Sequence, residues 1–113
     1  MIDCLFCKIV EGEIPSEKVY EDEHFLAFKD INPKAPVHIL IIPKEHISRV
    51  ENLEENQVEM VGRLILLAKD IAHQQRIKNG FRLIFNNGPD AGQAVEHIHL
   101  HLLGGRKLTW PPG

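Results

Sequence analysis

Long apolar runs are missing from this chain; none approaches the ~20 residues that a membrane-spanning helix requires. Basic excess is missing too. Thirteen Lys and Arg stand against sixteen Asp and Glu, a formal charge of −3, whereas broad, sequence-independent nucleic-acid binding needs a basic surface. The start, Met1-Ile2-Asp3, offers neither the basic residues nor the hydrophobic core of a secretory signal, which predicts a cytoplasmic protein. Cysteine is scarce: Cys4 and Cys7 alone, whose Cys-x-x-Cys spacing is half a zinc site and no more. Repeats, low-complexity tracts and linkers are absent, so residues 1–113 are expected to form a single domain. What remains, 43% hydrophobic and 26% charged residues, is the composition of a soluble globular protein.

The coarse pattern predicts a mixed α+β fold. Leu5 to Val10 reads as a short helix stopped near Gly12 and Pro15. Lys18–Glu21 and Phe25–Phe28 read as a hairpin around Asp22-Glu23. Pro33 and Pro36 impose an extended turn, and Val37 to Ile42, β-branched and aliphatic, reads as a strand buried on both faces. Asn52 with Glu55 resembles a capping box, and Asn79-Gly80 supplies a stop. Between them one long helix carries two apolar stripes, Val58, Val61, Ile65, Ala68, Ala72 and Met60, Leu64, Leu67, Ile71. Together they are wider than one sheet needs, which points to a two-fold partner. Strands over Phe81–Phe85 and His97–Leu103 complete an antiparallel sheet.

The last of these strands carries the chemistry. His97-Ile98-His99-Leu100-His101-Leu102-Leu103 alternates imidazole with aliphatic side chains, which on a strand places three histidines on one face and the aliphatics in a core. Three charged rings would repel, so at least one is neutral near pH 7. Three readings compete: a His-rich solvated face, a metal site, or a phosphate-handling site in which one imidazole attacks while its neighbours assist. The preceding loop, Asn86-Asn87-Gly88-Pro89-Asp90-Ala91-Gly92-Gln93, favours phosphate. Glycines there let backbone amides approach an anion, and Asn86 adds a neutral donor.

The seven-residue run resembles the His-φ-His-φ-His-φ-φ signature (φ apolar) of the histidine triad superfamily. The likeness spans nearly the whole chain: Asp3-Cys4-Leu5-Phe6-Cys7-Lys8-Ile9-Val10, the stretch from Phe28 to His38, and Leu103-Gly104-Gly105-Arg106 with Trp110-Pro111-Pro112-Gly113. The ending is similar to the Hint branch, whose members are purine nucleoside phosphoramidases. This resemblance implies a HIT-like fold: a five-stranded antiparallel sheet with one long and one short helix, continued across a homodimer. It further implies cleavage of purine nucleoside phosphoramidates, of the adenosine 5′-monophosphoramidate type, to AMP or GMP and an amine through a covalent nucleotidyl-histidine. No metal or other cofactor is implied for catalysis. Alternatives are a nucleotide-binding regulatory protein with incidental catalysis, or a dinucleoside polyphosphate hydrolase, which the Trp110-Pro111-Pro112-Gly113 ending disfavours.

Residue roles follow from the same resemblance. His99 is the nucleophile, His101 donates to a phosphate oxygen or near the leaving group, and His38 orients them. Asp30 accepts from the ribose hydroxyls. Phe6, Ile9, Ile14, Phe28 and Ile31 form the slot for the base, with Asn86, Gly92, Ala94 and Val95 near phosphate and ribose. Many Hint proteins have serine where this chain has Ala94, so retained but weaker activity is expected. Glu96, often aromatic in relatives, adds a charge beside the site. Cys4, Cys7, His46 and His97 match a structural zinc set; a free thiol pair and a disulfide are the alternatives. His97 shares a strand face with His99, so a bend at the strand start is needed for the two to serve different sites.

Overall fold

The computed structural model describes residues 3–113; the Met1-Ile2 start read above for its lack of a signal lies outside the described residues. Helix α1, Leu5–Val10, is followed by β1 (Lys18–Glu21), β2 (Phe25–Lys29), β3 (Val37–Pro43), α2 (Val58–Gln74), β4 (Phe81–Phe85) and β5 (Leu100–Gly104). All strand pairs are antiparallel, in the order β1-β2-β3-β5-β4. The class is α+β, with five strands, one long helix and one short one.

Period-two alternation splits the sheet into two cores. On one face Ala27, Ile39, Ile41, Leu100 and Leu102 pack against Leu64, Ala68, Ile71 and Ala72 of α2. On the other, Leu26, Phe28, Leu40 and Ile42 pack against Phe6 and Ile9 of α1. Strand β3 is thus covered on both sides. Six residues do not hold a helix alone in water; α1 persists because Phe6 and Ile9 are buried and because Cys4 caps it, its Sγ accepting from the Cys7 amide at 3.3 Å.

Three boundaries differ from the sequence reading. The capping box lies two residues later than Asn52/Glu55: Glu54 and Gln57 exchange it, ahead of α2. Helix α2 ends at Gln74, before Asn79-Gly80, because Arg76 takes a positive φ of 57° and the amide of Ile77 turns back to Ala72. Strand β5 begins at Leu100, not His97. The amide of Ile98 instead bonds the Ile47 carbonyl, pulling residues 97–99 away from the ladder. The two helix stripes also resolve unequally. Leu64, Ala68, Ile71 and Ala72 are buried, whereas Val58 and Ile65 remain 72% and 42% exposed.

Candidate functional site

The histidines gather on the α1 face of the sheet. His101 pairs across to Leu40 and Ile84, His38 comes from the start of β3, and His99 precedes β5. The rings of His99 and His101 lie 4.9 Å apart, those of His38 and His101 5.3 Å. Hydrogen-bond partners fix the tautomers. The Nδ1 of His99 sits 2.7 Å from the carbonyl of His97. A carbonyl only accepts, so Nδ1 carries the proton and Nε2 the lone pair. His38 Nδ1 accepts from the Lys34 amide at 3.0 Å. Its Nε2–H therefore donates, to His101 Nδ1 at 3.0 Å with Asp30 Oδ2 at 3.4 Å. That leaves the proton of His101 on Nε2, a buried atom with no partner among the described residues.

Burial dominates the charge state. It pushes His101 down to about 4, helped by His99 and His38 and opposed by Asp30. It also lowers His99, against the carbonyl of His97, and His38, against Asp30. The cluster holds neutral rings at pH 7: one bare lone pair on His99 and one unspent donor on His101.

A second cluster stands beside it. One ligand atom each from Cys4, Cys7, His46 and His97 lies within 4.8 Å of all the others. His97 is fully buried and its Nε2–H donates to the Pro43 carbonyl at 2.8 Å, which turns the Nδ1 lone pair toward Cys4 Sγ at 3.4 Å, Cys7 Sγ at 3.6 Å and His46 Nδ1 at 3.2 Å. His46 Nδ1 is 3.4 Å from Cys7 Sγ, and its Nε2 is 3.3 Å from Ser48 Oγ. Zinc with Zn–S near 2.3 Å and Zn–N near 2.0–2.1 Å places tetrahedral ligands about 3.3–3.8 Å apart. The Cys₂His₂ set fits that ion in donor type, count and spacing. Burial, then Cys4, pushes the Cys7 thiol up to about 11, so a cation is what would ionise it. Asp30, His38 and His101 also converge, but there the His38–His101 contact is already bridged by a proton.

Phe6 separates the clusters, edge-on to His99 at 5.1 Å, to His97 at 6.0 Å and to Phe28 at 5.4 Å. Phe6, Ile9 and Phe28 with Ile14 and Val95 form one apolar group beside the neutral histidines. Ile31 does not join it; it is 99% exposed. Asp30 Oδ1 accepts the Asn32 amide at 2.8 Å, so one oxygen closes a turn while the other lies beside His38.

A family model for the HIT domain matches residues 11–108. The chain belongs to the HIT domain family. It is 51% identical over 111 residues to a 14 kDa zinc-binding protein of Zea mays, covering 96% of this chain and 87% of that one. Identity is 48% to a protein of Arabidopsis thaliana named adenylylsulfatase HINT1, over 96% of this chain and 76% of the relative. The crystal structure of a HIT family hydrolase from Legionella pneumophila Philadelphia 1 superposes with a TM-score of 0.96 at 50% identity, covering 98% of this chain and 100% of the other.

Within this HIT domain the loop before the triad departs from its sequence reading. The amides of Gly88, Ala91, Gly92 and Gln93 are spent inside it, on Gln93 Oε1, the Gly88 carbonyl, the Pro89 carbonyl and the Gly88 carbonyl again. They form the loop rather than an anion cradle. Gly92, at φ 85°, closes its turn and is exposed, as is Ala94; Asn86 is half-buried. Gln93 was missed. Its amide donates to the carbonyls of Ser48 and Val95 at 2.8 and 2.9 Å, which fixes Val95 against the apolar group. The amide of Lys34 and the carbonyl of Pro43, each setting one imidazole, were also missed. Main-chain groups leave no residue-type signal. The required bend is present: residues 95–97 turn before β5, so His97 points its lone pair at the thiols while His99 points its own elsewhere.

Proposed function

We propose that this HIT chain is a nucleotide-binding hydrolase that cleaves purine nucleoside phosphoramidates to the nucleoside monophosphate and an amine. The observation that carries the reading is the pair of unspent ring nitrogens: the lone pair of His99 Nε2 and, on the adjacent ring, the unpartnered N–H of His101. His99 Nε2 attacks the α-phosphorus and the P–N bond breaks; the amine leaves with a proton that its nitrogen takes from water. His101 Nε2–H donates to a phosphate oxygen as charge grows there, and His38 holds the donor in that tautomer. Water then attacks the nucleotidyl-histidine, releasing AMP or GMP, a proton and the neutral ring.

Phe6, Ile9, Ile14, Phe28 and Val95 offer the base a hydrophobic wall, with Asp30 near the ribose, and Asn86, Gly92 and Ala94 near the phosphate. Cys4, Cys7, His46 and His97 hold a structural zinc, a reading supported by the spacing of their ligand atoms and by the name of the maize relative. Such an ion would clasp α1 to the sheet and would take no part in the reaction. Location is cytoplasmic, with neither nucleic acid nor membrane as a partner; no helix among the described residues is long and apolar enough to cross a bilayer.

The working unit is a homodimer in which two sheets join. Support comes from β4, an edge strand whose Phe81 is 38% exposed, and from Val58, Ile65 and Leu66 of α2, all apolar and exposed.

A second leaving group is favoured by the Arabidopsis relative's name: sulfate from an adenylyl sulfate would leave after the same attack. Turnover of a fluorogenic adenosine phosphoramidate and of adenylyl sulfate, by wild type and His99→Ala, tests both. Loss of turnover in the variant with AMP binding kept supports the hydrolase. Tight nucleotide binding by a wild type that turns over neither substrate overturns it in favour of a binding role.

A further inference from the structure

Residues 87–98 are zipped to residues 47–51 at four points. Ile98 donates its amide to the Ile47 carbonyl, and Gln93 reaches the Ser48 carbonyl at 2.8 Å. Asn87 and Glu51 exchange two bonds: the Glu51 amide to Asn87 Oδ1 at 2.9 Å, and Asn87 Nδ2 to Glu51 Oε2 at 3.0 Å. Arg49 presents Nε and Nη2 to the two oxygens of Glu96 at 3.0 and 2.9 Å, and Nη1 to Glu51 at 3.3 Å. Arg49 is therefore the one cation between two carboxylates, and it holds Glu96 below the usual carboxylate range.

We infer that Arg49, bridging Glu96 and Glu51, is a positioning residue that fixes the loop over residues 86–96 against the triad. The inference rests on the hydrolase reading above. An exposed ion pair standing alone contributes little. Here the fork is bidentate, and both segments are already held at Ile98 and Gln93, so little further freedom is lost in forming it. What the clamp sets is the path of Ala94, Val95 and Glu96, the three residues leading directly into His97 and His99. Val95 packs in the apolar group by the site, and Glu96 is its neighbour. Releasing Glu96 lets that path shift, and a shift of about 1 Å at a reacting centre costs on the order of 10²-fold in rate. The carboxylate of Glu96 is consequently neutralised by Arg49.

The test uses wild type, Arg49→Glu, Arg49→Lys and the exchange Arg49→Glu/Glu96→Arg, each measured for phosphoramidate turnover, AMP affinity, melting temperature and amide hydrogen exchange over residues 86–96. In Arg49→Glu three carboxylates meet. The expected result is kcat lower by about tenfold with KM changed by less, faster exchange in the loop and a melting temperature within a few degrees of wild type. Arg49→Lys, charged but without the fork, falls between, and the exchanged pair recovers most of the lost turnover and protection. A merely structural pair would lower the melting temperature and leave kcat alone, and that outcome overturns the inference. So does an exchanged pair no better than Arg49→Glu. Wild type without turnover would remove the hydrolase reading; unchanged loop exchange in Arg49→Glu would then remove the clamp, and faster exchange restored by the swap would keep it.

Discussion

Two clusters of imidazoles lie side by side in this domain, built on shared elements, and differ in where each ring spends its second nitrogen. In the Cys4–Cys7–His46–His97 group, His97 gives its N–H to a carbonyl and turns its lone pair toward three other ligand atoms. In the His38–His99–His101 group, His99 also gives its N–H to a carbonyl, yet its lone pair meets no partner cluster, and His101 is left with a proton rather than a lone pair to offer. Converging lone pairs suit a cation; a lone pair beside an unspent proton suits a nucleophile with a donor at its side. Imidazoles are common to both, and only the first adds thiols. The neighbour of the far nitrogen decides.

The largest expected break in this comparison is His99→Ala. It should reduce phosphoramidate turnover by about 10³-fold or more while AMP binding in calorimetry stays within several-fold, because the slot is formed by other residues. His97→Ala belongs to the other cluster and should chiefly remove metal, read as zinc per chain near zero by elemental analysis. Chelation of wild type should lower the melting temperature by about 10 °C or more, since α1 loses its clasp; Asp30→Asn should leave zinc content untouched. Equal zinc loss in both variants would erase the distinction between the clusters.

Acid sharpens it further. His99 and His101 are lowered from the ordinary histidine value, His101 to about 4. Folded rings with depressed values contribute stability that is complete above the unfolded value near 6.5 and is lost as pH falls below it, down to about 4 for His101, at about 1.4 kcal/mol per pH unit for a ring fully affected. Turnover should accordingly stay level from pH 8 down to the ordinary histidine value and fall only below it, since His99 is lowered by burial. A midpoint at 6.5 or higher in the kcat/KM profile would mean that the nucleophile is solvated and unperturbed. The smallest effect expected is that of Ala94→Ser. A new hydroxyl donor of about 0.5–1.5 kcal/mol raises kcat by roughly tenfold at most, and an unchanged or lower rate would show that residue 94 does not reach the phosphate.

Much of this was legible in the residues. The alternation from His97 to Leu103, the aliphatic run of β3 and the short helix before Gly12 each obey a local period, so local rules found them. Strand β5 was overextended to His97 because alternation continues there although the ladder does not; the interrupting bond joins Ile98 to Ile47, far away in sequence. The same distance hid the Arg49–Glu96 pair, the Gln93–Ser48 tie and the Pro43 carbonyl that sets His97; the Lys34 amide that sets His38 is only four residues away, but a main-chain group has no residue-type signal. Asn52 and Glu55 had the right spacing for a capping box, as do Glu54 and Gln57, and the chain uses the pair that lets Val58 begin the helix. The apolar excess on α2 was visible, but the buried face cuts across the stripes, taking Leu64 and Ile71 from one and Ala68 and Ala72 from the other.

The partition of roles among the histidines is tested most directly by trapping the intermediate. Acid-quenched or rapidly denatured wild type, mixed with an adenosine phosphoramidate and digested for mass spectrometry, should carry an adenylyl group on His99 and on no other histidine. An adduct on His97, His101 or His38, or fast turnover with no adduct on His99 at any time point, would contradict the assignment.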